Sequence, residues 1–160
     1  MKIEIIEKKE KEKLLEKLSY LGNLKTENLF VKTGEKIRMF SGNLDKEEIK
    51  KIWRNFMIEG IGLYIIKDFK NKKKNFEETR LSLEGLYFFK EQIKSSIVEI
   101  DEEQKNKWFK GETITLKEEQ KKNIQNQIVV LKFGEDFLGT GKIKEEKIYN
   151  YLPKERRIKN

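Results

Sequence analysis

The sequence predicts an α+β protein in two parts, and three observations carry that expectation. Short apolar runs rich in Ile, Val and Phe alternate with helices that bear their own start signals. A polar break, Lys94-Ser95-Ser96, separates two such series. The last thirty residues or so read as a glycine-punctuated hairpin followed by a basic tail. A chain of 160 residues has room for two small domains, each marginal alone. We expect an N-terminal α/β domain with a small mixed sheet over 1–94 and a smaller β-rich domain with a short helix over 95–160.

In the first part, Lys2 to Glu7 alternates as KIEIIE, either a short strand or the start of the helix that follows. Leu14, Leu15, Leu18 and Leu21 mark one helical face, with Gly22 as its stop. Leu29 to Phe40 is a hairpin turning at Thr33-Gly34-Glu35. Asp45 caps the clearest helix, with Glu48 three residues on in the capping-box relation. Ile49, Ile52, Trp53, Phe56 and Met57 form its apolar stripe, which places Trp53 in the core. Gly60 to Ile66 reads as a buried strand, Lys67 to Asn75 as a basic loop, Arg80 to Ser82 as a strand, and Leu83 to Ile93 as a short helix.

In the second part, Ile97 to Ile100 is a short strand. Asp101 caps a helix with Gln104 in the capping-box position, and Lys110-Gly111 ends it. Lys117 to Gln127 has one apolar residue in eleven and is an exposed connection. Ile128 to Phe133 is a strand, Gly134-Glu135-Asp136 a turn, Phe137 to Lys144 the return strand, and Lys147 to Tyr151 a third strand after Glu145-Glu146.

Composition narrows the function. The chain lacks cysteine and histidine, which removes disulfides, thiolate metal sites, thiol nucleophiles and the usual neutral-pH proton shuttle. No apolar run is long enough to span a membrane, and MKIEIIEKKE lacks the apolar stretch of a signal peptide, so a cytoplasmic protein is expected. The net charge is +8. Residues 138–160 hold seven basic side chains against three acidic ones, half of that excess in 23 residues. A polyanion partner at the C-terminus follows.

Strand alternation gives that charge a shape. Lys142 and Lys144 share a face, and so do Lys147, Tyr149 and Tyr151. Cations can meet phosphates while phenol rings stack sugars or bases. The same pattern also fits tyrosines closing a small barrel beside merely solvated lysines. Gly139 and Gly141 interrupt the return strand, which admits a partner's backbone or, more commonly, a neighbouring strand. Beyond Pro153 follow Lys154, Arg156 and Arg157, whose arginines can grip phosphates bidentately unless the tail is only a solvated end. Lys72, Lys73 and Lys74 are a solvated loop or a secondary phosphate contact. Gly60-Ile61-Gly62 lacks the remaining glycines and the following helix of a nucleotide loop. No carboxylate pair, metal cluster or activated nucleophile is legible, so no catalytic residue and no cofactor is expected.

The stretch DFLGTGKIK from Asp136 to Lys144, with YNYLPKERR from Tyr149 to Arg157, resembles the PUA-like RNA-binding domain of RNA cytosine methyltransferases of the Nol/Nop/Fmu (Sun) family. There the pattern is an apolar strand, an LGxGK strand, then N-x-x-P-K. Upstream, Val98 to Gln104 with Trp108 and Gly111 is similar to the first strand and helix of that domain. The resemblance covers about residues 95 to 160 and implies a PUA-like β-barrel. The two-part layout is similar to the Nip family of ribosome-assembly factors, an α/β domain followed by an RNA-binding PUA domain. The methyltransferases also carry a much longer catalytic domain that binds S-adenosylmethionine and attacks the base with a cysteine, for which this chain has neither room nor residue.

The expectation is a non-catalytic protein that binds structured RNA, ribosomal RNA before transfer RNA, in ribosome biogenesis or RNA modification. Two rivals stand beside it. One is an adaptor that recruits a separate RNA-modifying enzyme, with the N-terminal domain as its protein-binding part. The other is an RNA-modifying enzyme that works without a cysteine nucleophile.

Overall fold

The computed structural model describes residues 2–122 and 124–159. The chain divides into two compact units, Met1–Ser19 with Asn23–Phe88, and Tyr20–Gly22 with Phe89–Asn160. Each holds a five-stranded sheet, and the fold is mixed α and β with four α-helices among the described residues.

The first unit runs β1 (Ile3–Ile6), α1 (Lys8–Glu16), β2 (Leu29–Thr33), β3 (Lys36–Phe40), α2 (Lys46–Asn55), β4 (Leu63–Asn71), β5 (Phe76–Leu81) and α3 (Leu83–Phe88). Its strands lie in chain order and pair antiparallel throughout. The β2–β3 hairpin turns through Gly34-Glu35, with Gly34 at φ +60°, the conformation that a glycine-first two-residue loop needs. Phe30, Val31, Ile37, Ile65, Ile66 and Leu81 from the strands, Leu14, Ile49 and Leu86 from the helices, and Leu18 from the turn after α1 form the buried interior. The capping box of α2 is complete: Asp45 Oδ1 accepts from the Glu48 N–H and Glu48 Oε2 from the Asp45 N–H, both at 2.8 Å.

Two expectations change here. The apolar stripe of α2 is not a core stripe. Of its members only Ile49 is buried, Trp53 is half-buried, and Phe56 and Met57 are exposed. The reason is that α2 ends at Asn55: Phe56 is extended (φ −129°), which takes the last two apolar residues off the helical face. Nor is Lys67 to Asn75 a loop. β4 begins only at Leu63 but runs on to Asn71, because acids on β5 absorb its cations. Lys70 stands opposite Glu77 and meets it at 2.9 Å. Lys17 reaches the same Glu77 carboxylate and also Asp68, at 3.2 Å from the latter. Asp68 is buried, accepts from the Thr79 hydroxyl at 2.8 Å and lies 3.5 Å from Lys32. Burial disfavours its charge, but the Thr79 hydrogen bond and the two lysines outweigh that and hold its carboxyl below the usual range.

The second unit runs β6 (Ile97–Glu99), α4 (Glu102–Phe109), β7 (Ile114–Thr115), β8 (Ile128–Phe133), β9 (Asp136–Lys144) and β10 (Lys147–Asn150). Its strand order is β6-β8-β9-β10-β7, with β6 parallel to β8 and the other pairs antiparallel. The sheet curls into a half-barrel. α4 carries its own complete capping box, Asp101 with Gln104. Trp108 is fully buried among Val98, Ile114, Leu131, Ile148 and Leu152. Ser95 and Ser96 are an anchor rather than a loose polar link, since both hydroxyls donate to the Tyr20 carbonyl, at 2.6 and 2.8 Å. The connection from Lys117 to Gln127 is mostly exposed and includes a 3-10 turn at Glu118–Lys121; Asn123 within it lies outside the described residues. The two-residue strand β7 is too short to leave a sequence signature.

Candidate nucleic-acid interface

Register decides which side chains meet. Across β9 and β10, Lys142 stands opposite Tyr149 and Lys144 opposite Lys147. Paired residues in an antiparallel ladder share a face, so the two sets that alternation separates along each strand become one patch. Thr115 of β7 extends it beside Lys147. Ile143 and Ile148 face the other way, where Ile148 is fully buried. Tyr149 is 43% exposed, and Lys144 and Lys147 are exposed with no acidic partner among the described residues. The hairpin ends in Glu145-Glu146, both at positive φ (51° and 63°). Glu146 is turned onto Lys121 at 2.6 Å, which lowers its pKa. The acids of the tip therefore leave the neighbouring lysines unneutralised.

Gly139 and Gly141 belong to the opposite, buried side. A Cβ on Gly139 (φ +136°) would lie 3.2 Å from the Trp108 ring, and one on Gly141 would lie 2.4 Å from Ile148. The protein's own side chains fill that room, so both glycines serve as packing positions, the commoner of the two roles open to glycine in this strand. The Trp108 indole N–H donates to the Leu138 carbonyl at 2.9 Å, just before the first glycine. Asn150 Nδ2 donates to the Trp108 carbonyl at 2.7 Å, and Asn150 Oδ1 accepts from the Leu152 N–H at 2.8 Å. The glycines and the asparagine of the motif thus build the fold, while the lysines between them reach solvent.

The tail is docked. Tyr151 is half-buried and Leu152 buried. Lys154–Arg156 forms an exposed 3-10 turn. Arg157 donates from Nε to the Leu152 carbonyl at 3.0 Å and lies against Gly111, and the Ile158 N–H donates to the Phe109 carbonyl at 2.8 Å. Lys154 and Arg156 therefore stand outward, whereas Arg157 spends part of its guanidinium on holding the tail to the end of α4. Lys72, Lys73 and Lys74 lie in the other unit, as an exposed 3-10 turn at the tip of the β4–β5 hairpin, where Asn71 Oδ1 accepts from the Lys74 N–H at 3.2 Å.

No curated protein matches the chain significantly. Residues 95–158 match the family model described as the Methyltransferase RsmF PUA domain. That span contains the Trp108–Gly139 contact, the Asn150 latch and the lysine-tyrosine face together. Residues 95–158 therefore form a PUA-like domain of the Nol/Nop/Fmu methyltransferase family, a domain type that binds RNA.

Proposed function

We propose that the chain binds structured RNA without modifying it, with ribosomal RNA as first candidate and transfer RNA as second, in ribosome biogenesis or RNA modification. The observation that carries this reading is the β9–β10 register, which gathers Lys142, Lys144, Lys147 and Tyr149 on one exposed face of a PUA-like domain. Lysines neutralise phosphates. A ring beside them suits a ribose edge or an unstacked base, because the deep, narrow major groove of A-form RNA is closed to side chains. Lys154 and Arg156 extend the positive surface along the chain. The chain holds no cysteine that could attack a base, which supports binding over cytosine methylation.

Anisotropy titrations of the purified chain against ribosomal RNA, transfer RNA and duplex DNA at several salt concentrations test this. The expected result is tightest binding to ribosomal RNA, falling steeply as salt rises. Equal affinity for all three, or a flat salt dependence, overturns it. Incubation with S-adenosylmethionine should leave the RNA unmodified, and a new modified base overturns the non-catalytic part.

A further inference from the structure

The N-terminal unit contains a groove of about 900 Å³ whose floor is set by strand register. Thr33 is paired with Lys36, Lys36 with Lys67, and Arg38 with Tyr64, so these side chains share one face of the sheet. The segment from Trp53 to Glu59 forms the wall. The volume suits a small organic ligand.

Two buried polar atoms here lack partners. The Thr33 hydroxyl and Arg38 Nε have no hydrogen-bond partner among the described residues, and Thr33 is only 6% exposed. The Arg38 guanidinium makes one long contact, Nη1 to the Gly62 carbonyl at 3.4 Å. A buried donor without an acceptor is costly, and the Arg38 side chain, packed beneath Gly60, keeps its guanidinium at the groove lining, where an oxygen bound there would offset that cost. The charge of the lining says which oxygen. Lys36, Arg38, Arg54 and Lys67 face the groove against Glu35 and Glu59, and Glu35 already lies 3.6 Å from Lys67. Aromatic surface accompanies the charge: Trp53 is half-buried, Phe56 is 64% exposed, and Tyr64 has Lys36 Nζ 5.6 Å from its ring centre.

We infer that this groove is a second nucleic-acid site, which takes an unstacked nucleotide of a single-stranded RNA segment, its base against Trp53 and its phosphate on Arg38. A duplex cannot present a base face to Trp53, whereas a splayed strand can. An acidic peptide would answer the cations but not use the flat rings. The inference rests on the RNA-binding reading only for the origin of the nucleotide, and it is tested separately from that reading.

The full chain labelled with 5-fluorotryptophan gives two fluorine resonances, assigned with Trp53→Phe. Trp108 is buried in the other unit and serves as the reference. Adenosine 5′-monophosphate and a ten-nucleotide oligoadenylate should shift the Trp53 resonance saturably and leave Trp108 in place. Adenosine should bind about ten-fold more weakly than the monophosphate, and Arg38→Gln should weaken the monophosphate by about the same factor. Trp53→Leu should abolish binding of the monophosphate, read from its own phosphorus resonance, while Trp53→Phe should keep most of it, which separates stacking from mere folding. A Trp53 resonance unmoved by all three probes, in a chain that still binds ribosomal RNA, overturns the groove and leaves the PUA-like face standing. Equal binding of adenosine and its monophosphate overturns the phosphate assignment. A glutamate-rich decapeptide that displaces the oligoadenylate at lower concentration assigns the groove to a protein and overturns the proposal. A shift by the monophosphate in a chain that binds no structured RNA supports the groove and retires the C-terminal face.

Discussion

Lys144 stands directly opposite Lys147 across the β9–β10 hairpin. Like charges facing one another destabilise a ladder, and neither lysine has an ion-pair partner among the described residues, Glu146 of the tip being held by Lys121. An RNA phosphate would. Lys144→Thr and Lys147→Thr should therefore weaken RNA binding and reduce the salt slope by about one for each phosphate no longer neutralised, while the melting temperature stays level or rises. Anisotropy titrations beside thermal melts check both. A fall in affinity that follows a fall in stability would refute the assignment.

The tip of that hairpin is strained in a way that can be relieved. Glu145 and Glu146 both sit at positive φ in a two-residue loop, a geometry that Asn-Gly adopts far more readily. Replacing Glu145-Glu146 with Asn-Gly should stabilise the protein by about 1–2 kcal/mol, read as a shift in urea midpoint at unchanged slope. It also removes two negative charges beside the face, so RNA binding should tighten, more at low salt than at high.

The two arginines of the tail should part company. Arg157 is tied to the Leu152 carbonyl and lies against Gly111, while Arg156 stands on an exposed turn. Arg157→Ala should cost about 1 kcal/mol of stability and expose the tail to proteolysis. Arg156→Ala should shift the melt less than Arg157→Ala does and weaken RNA binding more. Limited trypsin digestion and anisotropy distinguish them, and equal effects in both assays would sink the distinction.

These contrasts mark what the sequence could show. Periodicity and capping rules identify both capping boxes and the three C-terminal strands, because those signals are local. Alternation places Lys142 with Lys144 and Lys147 with Tyr149, but only register joins the two sets. The roles of Gly139 and Asn150 depend on Trp108, thirty-one and forty-two positions away in the chain, and no local pattern announces such a contact. Trp53 misleads for a related reason. Its spacing is that of a core stripe, yet α2 stops two residues later and leaves it at a groove. The basic run after Lys67 reads as a loop because Glu77, the acid that absorbs its charge, lies on the next strand, where it also meets Lys17 from just beyond α1.

The ion pairs around Lys17 should govern stability in acid. Asp68 titrates below its ordinary value in the folded state because, although burial opposes its charge, Thr79, Lys17 and Lys32 favour it more strongly. Its folded pKa is thus below its unfolded one, about 3.9. The stability it contributes is fully present above the unfolded value and is lost as pH falls through the folded value. Asp68→Asn should cost about 2–3 kcal/mol near neutral pH, because it leaves Lys17 and Lys32 without their shared buried anion. Urea titrations at a series of pH values should show the gap between the two proteins closing below about pH 4. A gap that stays constant down to about pH 2.5 would mean that the carboxylate's charge is not what stabilises the sheet.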